Sequence, residues 1–324
     1  MMMMMMKRMK TTLMLIGVLA GGTAIVRAAP GSNGTEASAM TAATGVAGAG
    51  AGAAAGGGGG ENLGDLIIHH VSNGPPLAHL RIGPVDMSIS KHVVILWFSA
   101  ALVLVLLTWF ASHVKRSPDG VPSGKLANIV DFFIDYIHRE MVVPMIGAEH
   151  AASWTPLIAA FFFFILTCNL IGLTPIFDLI PGLEGGSTPT GNFNVTAGLA
   201  IVTFSAIILA GSLVHGFIGH WKNLVPHGLP VFALPILIPI EILSMFVKPF
   251  ALTMRLAANM TAGHIAILAI FSIIFLFKSV LVGLFAVPMV LGLMLLEIIV
   301  GFIQAYVFTL LSTVFIGMAV KAHH

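Results

Sequence analysis

Long apolar stretches recur along the chain, and five of them are long enough to cross a membrane. The hydrocarbon core of a bilayer is about 30 Å thick, so a spanning helix needs about 20 apolar residues. The stretches lie near residues 92–113, 153–175, 194–217, 239–277 and 281–320. We therefore predict an all-α polytopic membrane protein with about five transmembrane helices.

A different pattern separates the first two stretches. Within residues 125–147, apolar residues recur at helical spacing and alternate with charged ones such as Asp131, Asp135 and Arg139. An apolar stripe opposite a charged face is typical of a helix that lies at the membrane surface. We predict an interfacial amphipathic helix here.

The N-terminal third carries two segments outside this pattern. Residues 1–30 combine a basic start (Lys7, Arg8 and Lys10), a short apolar run and small residues, as a secretory signal peptide does. The alternative is a membrane anchor, for which about 15 apolar residues are short. Residues 31–60 are mostly Gly, Ala, Ser and Thr and predict a disordered tether. Residues 61–324 then form the membrane domain.

Composition supports a membrane protein and removes several other classes. Apolar residues make up 57% of the 324 and charged residues 9%, so a soluble domain is excluded. The net charge of +2 gives no reason to expect a nucleic-acid partner. The single cysteine, Cys168, cannot form a disulfide within the chain. No zinc motif surrounds His69 and His70, which we expect to have a surface or packing role, and we expect neither a metal nor another cofactor.

The charges of the loops predict an orientation. Lysines and arginines lie in loop 114–125, in loop 218–230 and at the C-terminus. In loop 176–193 the only charged residues are acidic. Basic loops remain on the cytoplasmic side. Five spans then place the N-terminus outside and the C-terminus in the cytoplasm.

The last two stretches are too long to stand upright in a bilayer. Each has nearly 40 residues, on the order of 55 Å of helix against a core of about 30 Å. We predict a long hairpin of steeply tilted helices, suited to wrapping around a curved partner. The alternative is that Pro249 and Pro288 kink the two helices.

Charged residues interrupt the first helix of this hairpin at regular spacing. Glu241, Lys248 and Arg255 are seven apart, and Asn259 follows four residues later on the same face. An arginine cannot lose its charge in lipid, and at the centre of a span it costs about 2.5–3.5 kcal/mol or more. Arg255 therefore marks a candidate functional site, with an internal ion pair to Glu241 or Glu297 as the structural alternative.

Distances from the hairpin turn predict which residues share a depth. With the turn near residue 280, Arg255 and Gln304 are about equally far from it, and so are His264 and Glu297. The histidine–carboxylate level lies nearer the turn, which the predicted orientation places outside. The sequence thus predicts a titratable outer pair and, deeper in, a fixed cation beside an amide.

The chemistry of these two levels points to proton movement. A histidine beside a carboxylate can exchange protons near neutral pH, whereas an arginine cannot. Arg255 can attract a carboxylate and favour its ionised form, which discharges a bound proton. This chain has no evident mobile acid, so we expect a partner to bring it. Small neighbours would let a partner helix approach closely: Ala257, Ala258, Ala262 and Gly263.

Two motifs resemble a known family. Residues 255–264 read RLAANMTAGH and residues 297–316 read EIIVGFIQAYVFTLLSTVFI, and both are similar to subunit a of the F-type ATP synthase. The resemblance implies a proton-channel stator in the bacterial plasma (inner) membrane, beside a ring of c subunits and the subunit b stalk. It implies that Arg255 faces the ring. An outer half-channel would contain Asn259, His264, Glu297 and Gln304, and an inner one Glu241, Ser244 and Lys248.

The match departs from the family pattern at one position, and other classes stay open. An aspartate frequent in bacterial relatives is Gly172 here, so no acidic role is carried to it. A self-contained ion-coupled secondary transporter would need inverted repeats, which the sequence lacks. A structural anchor would need its charges for folding only. Asn169, Asn192 and Asn194 are interpreted as caps or helix–helix hydrogen bonds, with the outer cleft as an alternative.

Overall fold

The computed structural model describes eight segments of the chain: residues 81–82, 85–86, 91–117, 122–174, 188–216, 219, 234–277 and 279–321. Several sequence predictions lie outside these segments and stay predictions. They concern the signal peptide at 1–30, the tether at 31–60, the His69–His70 pair, and most of loops 176–193 and 218–230.

Helices make up nearly all of the described chain. A small antiparallel pair of strands, β1 (Arg81–Ile82) and β2 (Val85–Asp86), precedes them. The α-helices are α1 (Lys91–Arg116), α2 (Lys125–Tyr136), α3 (Val143–Ile146), α4 (Ala148–Leu173), α5 (Phe193–His215), α6 (Leu234–Phe277) and α7 (Val280–Val320). Within the described segments five of these, α1 and α4 to α7, are long and apolar enough to cross a membrane. The predicted all-α polytopic fold is confirmed.

The amphipathic segment is helical but not uniform. Helix α2 continues into a π-helical segment (Ile137–Val142) and then α3, which is followed by the capping residue Gly147 with φ of 104°. Pro144 has no backbone N–H to donate to an earlier carbonyl, and the wider π turn lies directly before it. Val130 and Met141 are buried on one face, whereas Asp135 and Arg139 form an exposed ion pair at 2.7 Å. The predicted amphipathic character is confirmed.

Aromatic packing on α4 forms the centre of the bundle. In an 18-residue apolar stretch of α4, 67% of the residues are buried, against 17% and 22% in comparable stretches of α6 and α7. Phe161 packs edge-on against Phe308 of α7, with ring centroids 5.6 Å apart. Phe162 makes a similar contact with Phe302 at 5.8 Å. The α6–α7 hairpin is therefore held from behind by α4 and α5, and much of its apolar surface faces outward.

The two hairpin helices are longer than a bilayer is thick. With 44 and 41 residues, α6 and α7 measure roughly 66 and 62 Å. The turn at Ser279 confirms the predicted position near residue 280. Helix α6 begins at Leu234, five residues before the predicted start at Pro239, because the first turn of a helix tolerates a proline such as Pro235.

The bundle has two distinct ends. At one end, the Lys321 ammonium donates to the carbonyl of Pro144 at 2.7 Å, and the His215 ring lies 3.1 Å from the carbonyl of Val320. We call this the basic end. At the other, which we call the turn end, the hairpin turn at Ser279 lies on the same side as residues 188–192. The predicted separation of basic and acidic loops depends mostly on residues outside the described segments and stays a prediction.

Candidate functional site

Arg255 lies on an outward-facing stripe of α6. The stripe consists of Ala251, Arg255, Ala258 and Ala262, which follow one another at helical spacing and are all exposed. No side chain in the described segments forms a hydrogen bond or ion pair with the Arg255 guanidinium. A fixed charge is thus displayed on an apolar helix between small residues.

Two of the small residues predicted to admit a partner face inward instead. Ala257 is buried in this chain, and Gly263 faces Glu297. Ala257 lies one residue before Ala258 and Gly263 lies one residue after Ala262, and one residue turns a helix by about 100°. The open surface beside the arginine therefore depends on Ala258 and Ala262.

His264 and Glu297 lie together, as the equal-depth argument predicts. The His264 Nε2 atom is 4.0 Å from the Glu297 Oε1 atom. The Glu297 side chain is 5% exposed, and neither carboxylate oxygen has a hydrogen-bond partner among the described residues. The structural alternative in which Glu297 neutralises Arg255 is therefore wrong.

Gly263 makes the position of Glu297 possible. A Cβ atom at residue 263 would lie 2.6 Å from Glu297 Oε1 and 2.7 Å from its Cδ atom. Real Cβ atoms essentially never approach that closely. A side chain here would therefore displace the carboxylate from its position beside His264.

The other residues predicted for the two half-channels form no hydrogen bond with Arg255 in the described segments. Asn259 and Gln304 are half-buried, and in the described segments neither makes a hydrogen bond with Arg255. The Lys248 ammonium lies 5.8 Å from the ring centroid of Phe315, and Ser244 is half-buried. The Glu241 position lies within helix α6, and its side chain is outside the described part. An Arg255–Glu241 pair and the inner half-channel stay predictions.

The contribution of residues 188–192 was not predicted from the sequence. This segment includes a 3₁₀ turn (Pro189–Gly191) and carries two buried threonines, Thr188 and Thr190. The Thr188 hydroxyl is hydrogen-bonded to His264 Nε2. The available signal was the run Thr-Pro-Thr-Gly, whose small polar residues directly precede a span.

Asn169 connects this segment to the hairpin. Its Nδ2 atom donates to the carbonyl of Gly301 at 2.9 Å, and its Oδ1 atom accepts from the Thr190 hydroxyl at 2.7 Å. The side chain is fully buried, so its interpretation as a helix–helix hydrogen-bonding residue is confirmed. Asn169 thereby holds α4, α7 and the 188–192 segment in one arrangement.

Asn169→Leu should lower the thermal stability of the protein in detergent. Leucine has a similar size but forms no hydrogen bond, so the Gly301 carbonyl and the Thr190 hydroxyl lose their partner. Leaving such groups unsatisfied costs about 1–3 kcal/mol. Leu170→Ala, at an exposed neighbour, is the control and should change stability by no more than about 0.5 kcal/mol. Equal melting curves for both variants would contradict a role for Asn169 in holding the site together.

The chain is similar to known proteins over most of its length. Residues 93–317 match the family described as ATP synthase A chain. "ATP synthase subunit a 2" of Chlorobaculum tepidum is 40% identical over 271 residues, which cover 80% of this chain and 74% of that protein. "ATP synthase subunit a" of Chloroherpeton thalassium is 38% identical, covering 78% and 76%. The Myxococcus xanthus protein of that name is also 38% identical, covering 78% and 79%.

Proposed function

Since the chain belongs to the ATP synthase A chain family, we propose that it is the proton-channel stator of an F-type ATP synthase. In this role it passes protons through two offset half-channels to and from carboxylates on a rotating ring of c subunits. It holds no nucleotide itself. The ring of c subunits supplies the mobile acid that this chain lacks.

The observation that carries the proposal is the exposed, unpaired position of Arg255 among the described residues. A guanidinium in an apolar environment requires a counter-charge or water. The adjacent alanines leave room for a second helix to approach, and a ring carboxylate arriving there would be held in its ionised form. The same charge repels protons and so prevents a direct leak between the half-channels.

The outer half-channel centres on His264 and Glu297. Protons enter from the turn end, are exchanged between the histidine and the carboxylate, and reach the ring past Asn259 and Gln304. The 4.0 Å separation of His264 and Glu297 supports this route because a small side-chain movement brings them into hydrogen-bond contact.

The inner half-channel begins at the basic end of the bundle. Glu241, Ser244 and Lys248 precede Arg255 on α6 at intervals that place them towards that end. A proton leaving the ring after its rotation would pass these residues. Each charge that crosses about 100 mV releases about 2.3 kcal/mol, which is the electrical part of the driving force.

The proposed location is the bacterial plasma (inner) membrane. The turn end faces outside and the basic end faces the cytoplasm, in agreement with the positive-inside rule. Subunit b of the peripheral stalk is the second proposed protein partner, and the exposed apolar surface of α1 and α5 contacts lipid or that subunit.

Cysteine cross-linking in native membranes tests the contact with the ring. Cysteine at Ala258, next to Arg255, should form a disulfide with a cysteine placed beside the ring carboxylate, since disulfides require Cα atoms about 4.4–6.8 Å apart. Val105→Cys, equally in an exposed position but on α1, is the matched control and should give no product. The native Cys168 is fully buried and does not interfere. Product at residue 105 with none at residue 258 would reject the proposed contact.

A further inference from the structure

One imidazole nitrogen at the turn end lies beside two different groups. The Nε2 atom of His264 is hydrogen-bonded to the Thr188 hydroxyl and is 4.0 Å from Glu297 Oε1. Thr188 is 1% exposed and Glu297 is 5% exposed. The exchangeable proton of this nitrogen therefore lies between a hydroxyl and a carboxylate, in a place with little access to bulk water.

Thr188 is held firmly in this position. A Cβ atom at residue 172 would overlap the Thr188 hydroxyl and backbone, so the close approach depends on Gly172. On the far side of the turn, the carbonyl of Gly191 accepts a hydrogen bond from the Thr261 hydroxyl at 3.3 Å. The segment thus packs against both α4 and α6, which places the Thr188 hydroxyl beside His264.

We propose that Thr188 is a positioning residue of the outer half-channel, whose hydroxyl allows His264 to change its protonation state in a partly buried position. This inference rests on the proposed function. A hydroxyl can donate or accept a hydrogen bond, so it satisfies Nε2 with or without a proton. A methyl group in its place offers Nε2 no hydrogen bond in either protonation state.

The transfer is balanced and needs no further reactant. The Nε2–H bond of protonated His264 breaks, and an O–H bond forms on the ionised Glu297 carboxylate after the two groups move about 1 Å closer. The Thr188 hydroxyl then rotates and donates to the vacated Nε2. When the next proton arrives at the imidazole, the hydroxyl rotates back and accepts from it.

This arrangement explains why residue 172 is a glycine. An aspartate or any other side chain at residue 172 would push Thr188 away from His264. In this chain a hydroxyl from residue 188 therefore occupies the space in which a side chain from residue 172 would lie.

Passive proton flux through membrane vesicles that have been stripped of the catalytic sector tests the proposal. The flux is driven by a potassium diffusion potential and recorded from mildly acidic to mildly alkaline pH. Thr188→Val keeps the shape of the side chain and removes the hydroxyl, so flux should fall about tenfold, and most where His264 must release its proton. Thr188→Ser restores the hydroxyl and should restore the flux and its pH profile.

A control separates this effect from the loss of any buried hydroxyl. Thr203 on α5 is fully buried, and its hydroxyl donates to the carbonyl of Leu199 at 3.0 Å, within its own helix. Thr203→Val should leave the flux unchanged. If Thr188→Val does not assemble, Thr188→Cys replaces it, because a thiol is a weak hydrogen-bonding group. The cysteine variant should conduct more slowly than the serine variant, and equal rates would overturn the proposal.

The His264→Ala variant distinguishes failure of this inference from failure of the proposed function. Slow flux in His264→Ala together with wild-type flux in Thr188→Val at every pH overturns the role of Thr188 alone. Wild-type flux in His264→Ala removes the outer half-channel itself, and the role of Thr188 with it.

Discussion

Arg255→Ala should leave the complex assembled and lower proton-driven ATP synthesis to less than about one hundredth of the wild-type rate. This corresponds to a rise of at least about 2.7 kcal/mol in the activation free energy of synthesis. Assembly survives because the guanidinium is exposed and bonds to no other described side chain, so its removal breaks no contact within the described part of the fold. Synthesis is lost because the ring carboxylate then keeps its proton and the two half-channels are no longer separated. The measurement is ATP synthesis by membrane vesicles, with the ring content of the purified complex as the measure of assembly.

A second arginine provides the matched control. Arg139 lies in the π-helical segment and forms an exposed ion pair with Asp135, the type of pair that contributes about 0–1 kcal/mol. Arg139→Ala should retain both assembly and synthesis. Loss of assembly in Arg255→Ala would favour a purely structural anchor, in which the charge serves folding. Normal coupled synthesis would reject the stator role.

Glu297→Gln and His264→Ala should each lower passive proton flux by about ten- to a hundredfold without loss of the complex. Glutamine matches the shape of Glu297 but cannot bind and release a proton. Because neither oxygen of Glu297 has a hydrogen-bond partner in the described segments, the substitution breaks no bond there and should leave thermal stability unchanged or raise it. Flux in vesicles and melting in detergent are the two measurements.

Glu149→Gln is the control for the loss of a carboxylate. Glu149 lies exposed in the first turn of α4, at the opposite end of that helix from Asn169 and the segment that contacts His264, and its variant should conduct like the wild type. If flux falls as much in Glu149→Gln as in Glu297→Gln, the loss of any carboxylate lowers flux and the effect is not specific to Glu297. Wild-type flux in both Glu297→Gln and His264→Ala would remove the proposed relay.

The hairpin and its polar levels could be predicted because antiparallel helices obey a simple geometric rule. Residues equally far from a turn share a depth, so the position of Ser279 alone brings His264 level with Glu297. The rule predicts how deep each residue lies in the membrane, but it does not predict which way its side chain points around the helix axis. That is why it also aligns Arg255 with Gln304, between which the structure forms no hydrogen bond.

The 188–192 segment could not be predicted because its contacts are not local. Thr188 reaches a histidine 76 residues away, and Asn169 reaches a carbonyl 132 residues away. Hydrophobic periodicity reports which face of a helix is buried and says nothing about a loop that turns back into the bundle. The sequence shows that Gly172 departs from the family pattern, but only the fold shows what occupies that space.

The most direct test of the central claim is a structure of the assembled complex in lipid, with the distance measured from the Arg255 guanidinium to the nearest carboxylate. We expect that carboxylate to belong to the c ring, within about 4–6 Å or across one water, with the alanine stripe against the same ring helix. A guanidinium paired with Glu241 of its own chain, and no second protein against Ala258, would contradict the account.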